Sequence, residues 1–147
     1  MPASMNSQYP GSVLVVDDDA SARSVLQRVL ARGGHSVAVA ETAEQALAML
    51  AAAPFDLLLA DKNLPGMSGL ELLRRVRLEL PQMQLILMTA YPTPEALAAV
   101  QELGVFDYLT KPFGILEIVA TCGSAIRAAR RSADRHRPLT AHSQHPG

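Results

Sequence analysis

The chain has 147 residues, a formal charge of −1 and 49% hydrophobic residues. That suits one compact domain with a sizeable core and leaves no bulk charge to draw nucleic acid or a membrane surface. The single cysteine, Cys122, excludes an internal disulfide and a multi-cysteine zinc site.

Residues 1–11 read as a disordered leader, with Met5 a second candidate start. The opening MPASMNSQYPGS lacks the basic-then-apolar form of a signal peptide, and no apolar run nears the roughly 20 residues of a membrane span. A reduced, cytoplasmic setting is therefore expected. Val13–Val16 is a first strand, running straight into Asp17, Asp18 and Asp19. Ser21–Arg32 is predicted as a helix burying Val25, Leu26, Val29 and Leu30, stopped by Gly33-Gly34. Ser36–Ala40 is a second strand. Thr42-Ala43-Glu44-Gln45 has the form of a capping box and opens a helix to about Ala52, ended by Pro54.

Leu57–Ala60 is a third strand, followed at once by Asp61. Ser68-Gly69-Leu70-Glu71 is a second capping box, opening a helix to about Leu80. Gln84–Met88 is a fourth strand with Thr89 at its end. Thr93-Pro94-Glu95 starts a fourth helix: a cap, a proline at the first helical position, and an acid near the positive dipole end. Gly104 ends it. Val105–Leu109 is a fifth strand, with Lys111 just beyond. A last helix from Ile115 to about Ala133 is expected to turn Leu116, Val119, Cys122 and Ile126 inward. Residues 135–147 read as a disordered basic and polar tail. The arginines from Arg127 to Arg137 read as a solvated helix end and argue little for direct nucleic-acid binding.

Five βα units with near-continuous apolar strands predict an α/β fold: a doubly wound, five-stranded parallel sheet with helices on both faces. Such sheets build their sites at the carboxyl ends of the strands. Asp17, Asp18, Asp19, Asp61, Thr89 and Lys111 all fall there. Crowded carboxylates with one lysine call for a hard divalent cation, and Mg²⁺ is the usual choice where a phosphate also binds. The lysine and the hydroxyl suit phosphoryl oxygens, and a carboxylate beside a metal can itself attack phosphorus.

With the motifs VLVVDDD, LLLADKNLPGMSGLELL, LILMTA and GVFDYLTKPF in this order, the sequence resembles a response-regulator receiver domain, the phospho-accepting module of two-component signalling, over about residues 12–134. The resemblance implies a flavodoxin-like (βα)₅ fold, as in the chemotaxis regulators. It implies Asp61 as phospho-acceptor, Asp17 and Asp18 as holders of Mg²⁺ with the Asn63 backbone carbonyl, and Thr89 and Lys111 as partners of the phosphoryl group. Thr89 and Tyr108 are implied to move on switching, Ala90 to be small for access, and the Lys111–Pro112 bond to be cis. Lys62, where apolar residues are common, is expected to face solvent. The Tyr91 ring is expected to screen the acyl phosphate from water.

By the same resemblance the phosphoryl donor is a sensor histidine kinase or histidine phosphotransfer protein. A downstream protein would read the face of helix four, strand five and helix five, and the domain would be a monomer or a phosphorylation-dependent dimer. The domain is a signalling switch rather than an enzyme, although it would catalyse its own phosphorylation and dephosphorylation. VLVVDDDAS also resembles the start of a haloacid-dehalogenase-type phosphatase, with Asp17 as nucleophile and Asp19 as acid/base; that reading leaves Asp61 and its loop unused. A third expectation is a receiver-like binding module that is never phosphorylated.

Overall fold

The computed structural model describes residues 11–135. In chain order the elements are β1 (Ser12–Val16), α1 (Ala20–Arg32), β2 (Ser36–Ala40), α2 (Ala43–Ala52), β3 (Leu57–Asp61), α3 (Gly69–Glu79), β4 (Gln84–Thr89), α4 (Pro94–Leu103), β5 (Asp107–Thr110) and α5 (Ile115–Arg135). The five strands form one parallel sheet in the order β2-β1-β3-β4-β5. The chain leaves β1 toward one side of the sheet and returns to β3 on the other. The resulting crevice lies at the carboxyl ends of β1 and β3.

Strand residues alternate between two cores, because successive side chains leave opposite faces of a sheet. Leu14, Val16, Leu58, Ala60, Leu85 and Leu87 meet α2, α3 and α4 through Ala46, Leu72, Val76 and Val100. Val13, Val15, Leu57, Leu59, Ile86 and Met88 meet α1 and α5 through Leu26, Leu30, Ile118, Cys122 and Ile126. Burial on both faces is why these strands read as unbroken apolar runs. Both capping boxes form their first half: Thr42 accepts from the Gln45 N–H at 3.0 Å and Ser68 from the Glu71 N–H at 3.1 Å. Gln45 reaches back past the cap residue itself and accepts from the Glu41 N–H at 2.9 Å.

Several expectations shift. Val105 is not in β5: its N–H donates to the Val100 carbonyl at 3.0 Å, and Gly104, at φ +66°, takes the left-handed turn that ends α4. On α5 the buried stripe is Ile118, Cys122, Ala125 and Ile126, so Leu116 falls on the opposite side, 85% exposed. Val25 is likewise 43% exposed, at the edge of the α1 stripe set by Leu26 and Leu30. Gly11, assigned to the leader, is buried; its N–H donates to His35 Nδ1 at 3.1 Å and its carbonyl accepts from Ser36 at 2.9 Å. Otherwise the expected leader lies outside the described residues, as does the tail from residue 136 onward.

Candidate functional site

Strand geometry delivers the polar residues to one edge. β1 ends at Val16, so Asp17 begins the β1–α1 turn, its N–H bonded to the Ala40 carbonyl at 3.1 Å. Asp61 closes β3, one register step beyond the Val16–Ala60 pair. Thr89 closes β4, and the Lys111 N–H donates to the Thr89 carbonyl at 2.8 Å.

Carboxylate oxygens of Asp17, Asp18 and Asp61 lie within 4.8 Å of one another. Lys111 Nζ reaches into the same space, 2.8 Å from Asp17 Oδ2 and 3.3 Å from Asp61 Oδ2. Asp17 is wholly buried and Asp61 is 8% exposed. Desolvation raises the Asp61 pKa, the Lys111 charge opposes it, and the Asp17 charge adds to the rise. Burial works against the Lys111 ammonium, but its hydrogen bond to Asp17 and the charges of Asp17 and Asp61 outweigh that and raise its pKa. One ammonium among three carboxylates leaves an excess of oxygen donors. An all-oxygen set of this kind matches a hard divalent cation, so these residues fit the expected metal.

Asp19 stands apart from this cluster. Its Oδ1 accepts from the Ser21 N–H at 2.9 Å and caps α1, which occupies the group the phosphatase reading needed as acid/base. Asn63 is exposed, and its N–H donates to Asp61 Oδ1 at 3.3 Å. Thr89 is buried, with its hydroxyl accepting from the Tyr91 N–H at 3.1 Å. Tyr91 itself is 76% exposed. Lys62, expected in solvent, is half-buried, because its N–H is tied to the Met88 carbonyl at 2.7 Å beside β4. The Lys111–Pro112 peptide is cis. The buried Tyr108 hydroxyl has no hydrogen-bond partner among the described residues.

Two residues that support the site were not singled out from the sequence. Gly69 opens α3 directly against the acceptor strand: its N–H donates to the Lys62 carbonyl at 2.8 Å, and a Cβ there would collide with the Asp61 carbonyl. Arg23 donates from Nη1 to the Asp17 carbonyl at 2.7 Å. A glycine at the first position of a helix, where it is a poor helix former, is the signal for Gly69. For Arg23 the sequence carries none.

The parallel order, the two-sided core and the acidic edge define a receiver-type switch domain. The response regulator receiver domain family matches residues 13–122, and the chain belongs to that family: it is the receiver domain of a two-component response regulator. It is 44% identical over 116 residues to the DNA-binding transcriptional regulator NtrC of Salmonella typhimurium, covering 79% of this chain and 25% of that protein. It is 40% identical over 111 residues to the response regulator protein FleR of Pseudomonas aeruginosa, covering 74% of this chain and 24% of that one. The chain thus spans about a quarter of the length of these curated relatives. Among solved structures, a CheY-like receiver domain from Methanospirillum hungatei JF-1 superposes with a TM-score of 0.80 at 28% identity, over 83% of this chain and 98% of that one. Neither the phosphatase nor the unphosphorylated-module reading is favoured by these matches. Among the described residues no helix is long and apolar enough to cross a membrane.

Proposed function

We propose that Asp61 accepts a phosphoryl group from the phosphohistidine of a sensor histidine kinase or histidine phosphotransfer protein. The observation that carries this reading is the buried Asp61 carboxylate facing Lys111 within the three-aspartate cluster. An Asp61 oxygen forms the new bond to phosphorus as the phosphorus–nitrogen bond breaks, and the departing imidazole takes up a proton. Asp17, Asp18, Asp61 and the Asn63 carbonyl would hold Mg²⁺, which supplies charge neutralisation for the phosphoryl oxygens. Lys111 releases Asp61 to bind a phosphoryl oxygen, and the Thr89 hydroxyl binds another. The small side chain of Ala90 keeps the approach to Asp61 open.

The new charge of about −1.5 to −2 gives Lys111 and Thr89 a stronger partner than the carboxylate alone. Thr89 moves toward it, Tyr108 repacks behind, and the α4-β5-α5 face changes. Leu97 of α4 and Leu116 of α5 are already exposed, and a downstream protein, or a second copy in a phosphorylation-dependent dimer, would read the face these elements build. The domain also catalyses the hydrolysis of its own acyl phosphate, and it works in the cytoplasm. Acetyl phosphate with Mg²⁺ should add one phosphoryl group, mapped to Asp61 and absent from Asp61→Ala. Labelling at Asp17 instead would overturn the assignment.

A further inference from the structure

We propose that Arg23 is a positioning residue for the metal-binding aspartates, bracing the β1–α1 turn against the β2–α2 turn. The inference rests on Mg²⁺ binding at Asp17, Asp18 and Asp61. Arg23 lies one turn into α1, and its side chain is 18% exposed. Nη1 donates to the Asp17 carbonyl at 2.7 Å while Nη2 lies 3.5 Å from Glu41 Oε2. The Glu41 backbone is itself held by the Gln45 side chain at 2.9 Å, so the brace is anchored in the α2 cap.

The carbonyl that Arg23 grips belongs to the peptide joining Asp17 to Asp18. That peptide is planar, so fixing its oxygen fixes the plane from which the Asp18 side chain departs. Asp18 is exposed and gains orientation chiefly through this backbone. Asp17 is fully engaged: N–H to Ala40, carbonyl to Arg23, Oδ1 to the Asp19 N–H at 2.9 Å and Oδ2 to Lys111 at 2.8 Å. Arg23 therefore sets the ligand geometry without touching the metal space.

Charge alone predicts the opposite effect. A cation beside three carboxylates repels a divalent ion, so a purely electrostatic Arg23 would weaken Mg²⁺ binding and its loss would tighten it. A brace lost from behind a ligand set instead weakens metal affinity about 10–100-fold. The sign of the change separates the two. The planar fork matters as well, because a lysine ammonium keeps the charge but cannot span two acceptors in the same geometry.

The test is Mg²⁺ affinity by titration calorimetry on the full chain, for wild type, Arg23→Met and Arg23→Lys, with melting temperatures alongside. The expected result is roughly tenfold weaker binding in Arg23→Met and a clear loss in Arg23→Lys. Affinity equal to or tighter than wild type in Arg23→Met, or unchanged in Arg23→Lys, overturns the inference. Should Arg23→Met fail to fold, Arg23→Lys decides alone. A wild-type chain that binds no Mg²⁺ overturns the underlying site reading and the inference with it.

Discussion

The Asp61 carboxyl sits among groups that pull its proton affinity in opposite directions, and burial wins. Because folding raises its pKa above the usual 3.8, the folded chain favours the protonated form. That stabilisation is full below the unfolded value and is lost as pH rises through the folded one. At neutral pH the ionised group therefore weakens the metal-free fold. Asp61→Asn should raise the melting temperature of the metal-free protein by about 2–6 °C at pH 7.5, with the gain shrinking toward pH 4. Gly69 makes the complementary case in the backbone. Gly69→Ala must push α3 away from the Asp61 carbonyl, so phosphorylation by acetyl phosphate should fall at least tenfold while Asp61 itself is intact. Asp17, Asp18, Asp61, Thr89 and Lys111 were legible in the sequence because each polar residue interrupts or follows an apolar run. Arg23 was not: an arginine on an amphipathic helix looks the same whether it meets water or a carbonyl on the preceding turn.

At the scale of elements, the strands and caps were readable and the helix phases less so. α5 carries apolar residues at 115, 116, 118, 119, 120, 122, 125, 126, 128 and 129, too many to fix one face, and only packing on β3 and β4 turns Leu116 out. Val105 continues the apolar run of β5 in sequence yet serves the left-handed end of α4. That end of α4 is held by Arg77 of α3. Its guanidinium donates to the carbonyls of Leu103 at 2.8 Å, Gly104 at 3.2 Å, and Pro81 and Met83 at 2.9 Å each. The other end of α4 has its own cap, with Thr93 accepting from the Ala96 N–H at 3.1 Å, close to the Thr89 loop. Arg77→Met leaves several carbonyls short of a donor and should cost about 2 kcal/mol. In thermal unfolding that appears as a Tm drop of roughly 6 °C.

Over the whole molecule, Lys111 joins two parts of the chain far apart in sequence, 94 residues from Asp17 and 50 from Asp61. Without it the buried Asp17 carboxylate has lost its cation. Lys111→Met should destabilise the metal-free fold by roughly 2–3 kcal/mol. Since lysine and divalent cation compete for the same oxygens, added Mg²⁺ should raise the melting temperature of Lys111→Met more than that of wild type. An equal shift in the two proteins would show that they do not compete.

The acidic edge is only one end of the sheet. At the other, the Ser12 N–H that opens β1 donates to Asp56 at 2.8 Å, and Arg130, late in α5, lies 3.5 Å from the same carboxylate. Near it Ser132 donates to Gln82 at 2.9 Å. The first strand and the last helix thus open and close side by side, about 16 Å of strand away from Asp61. A dye carried at Gln82, beside Ser132 on this side, should therefore leave the rate of acetyl-phosphate labelling within about twofold of the undyed chain, a marker set well clear of the switch.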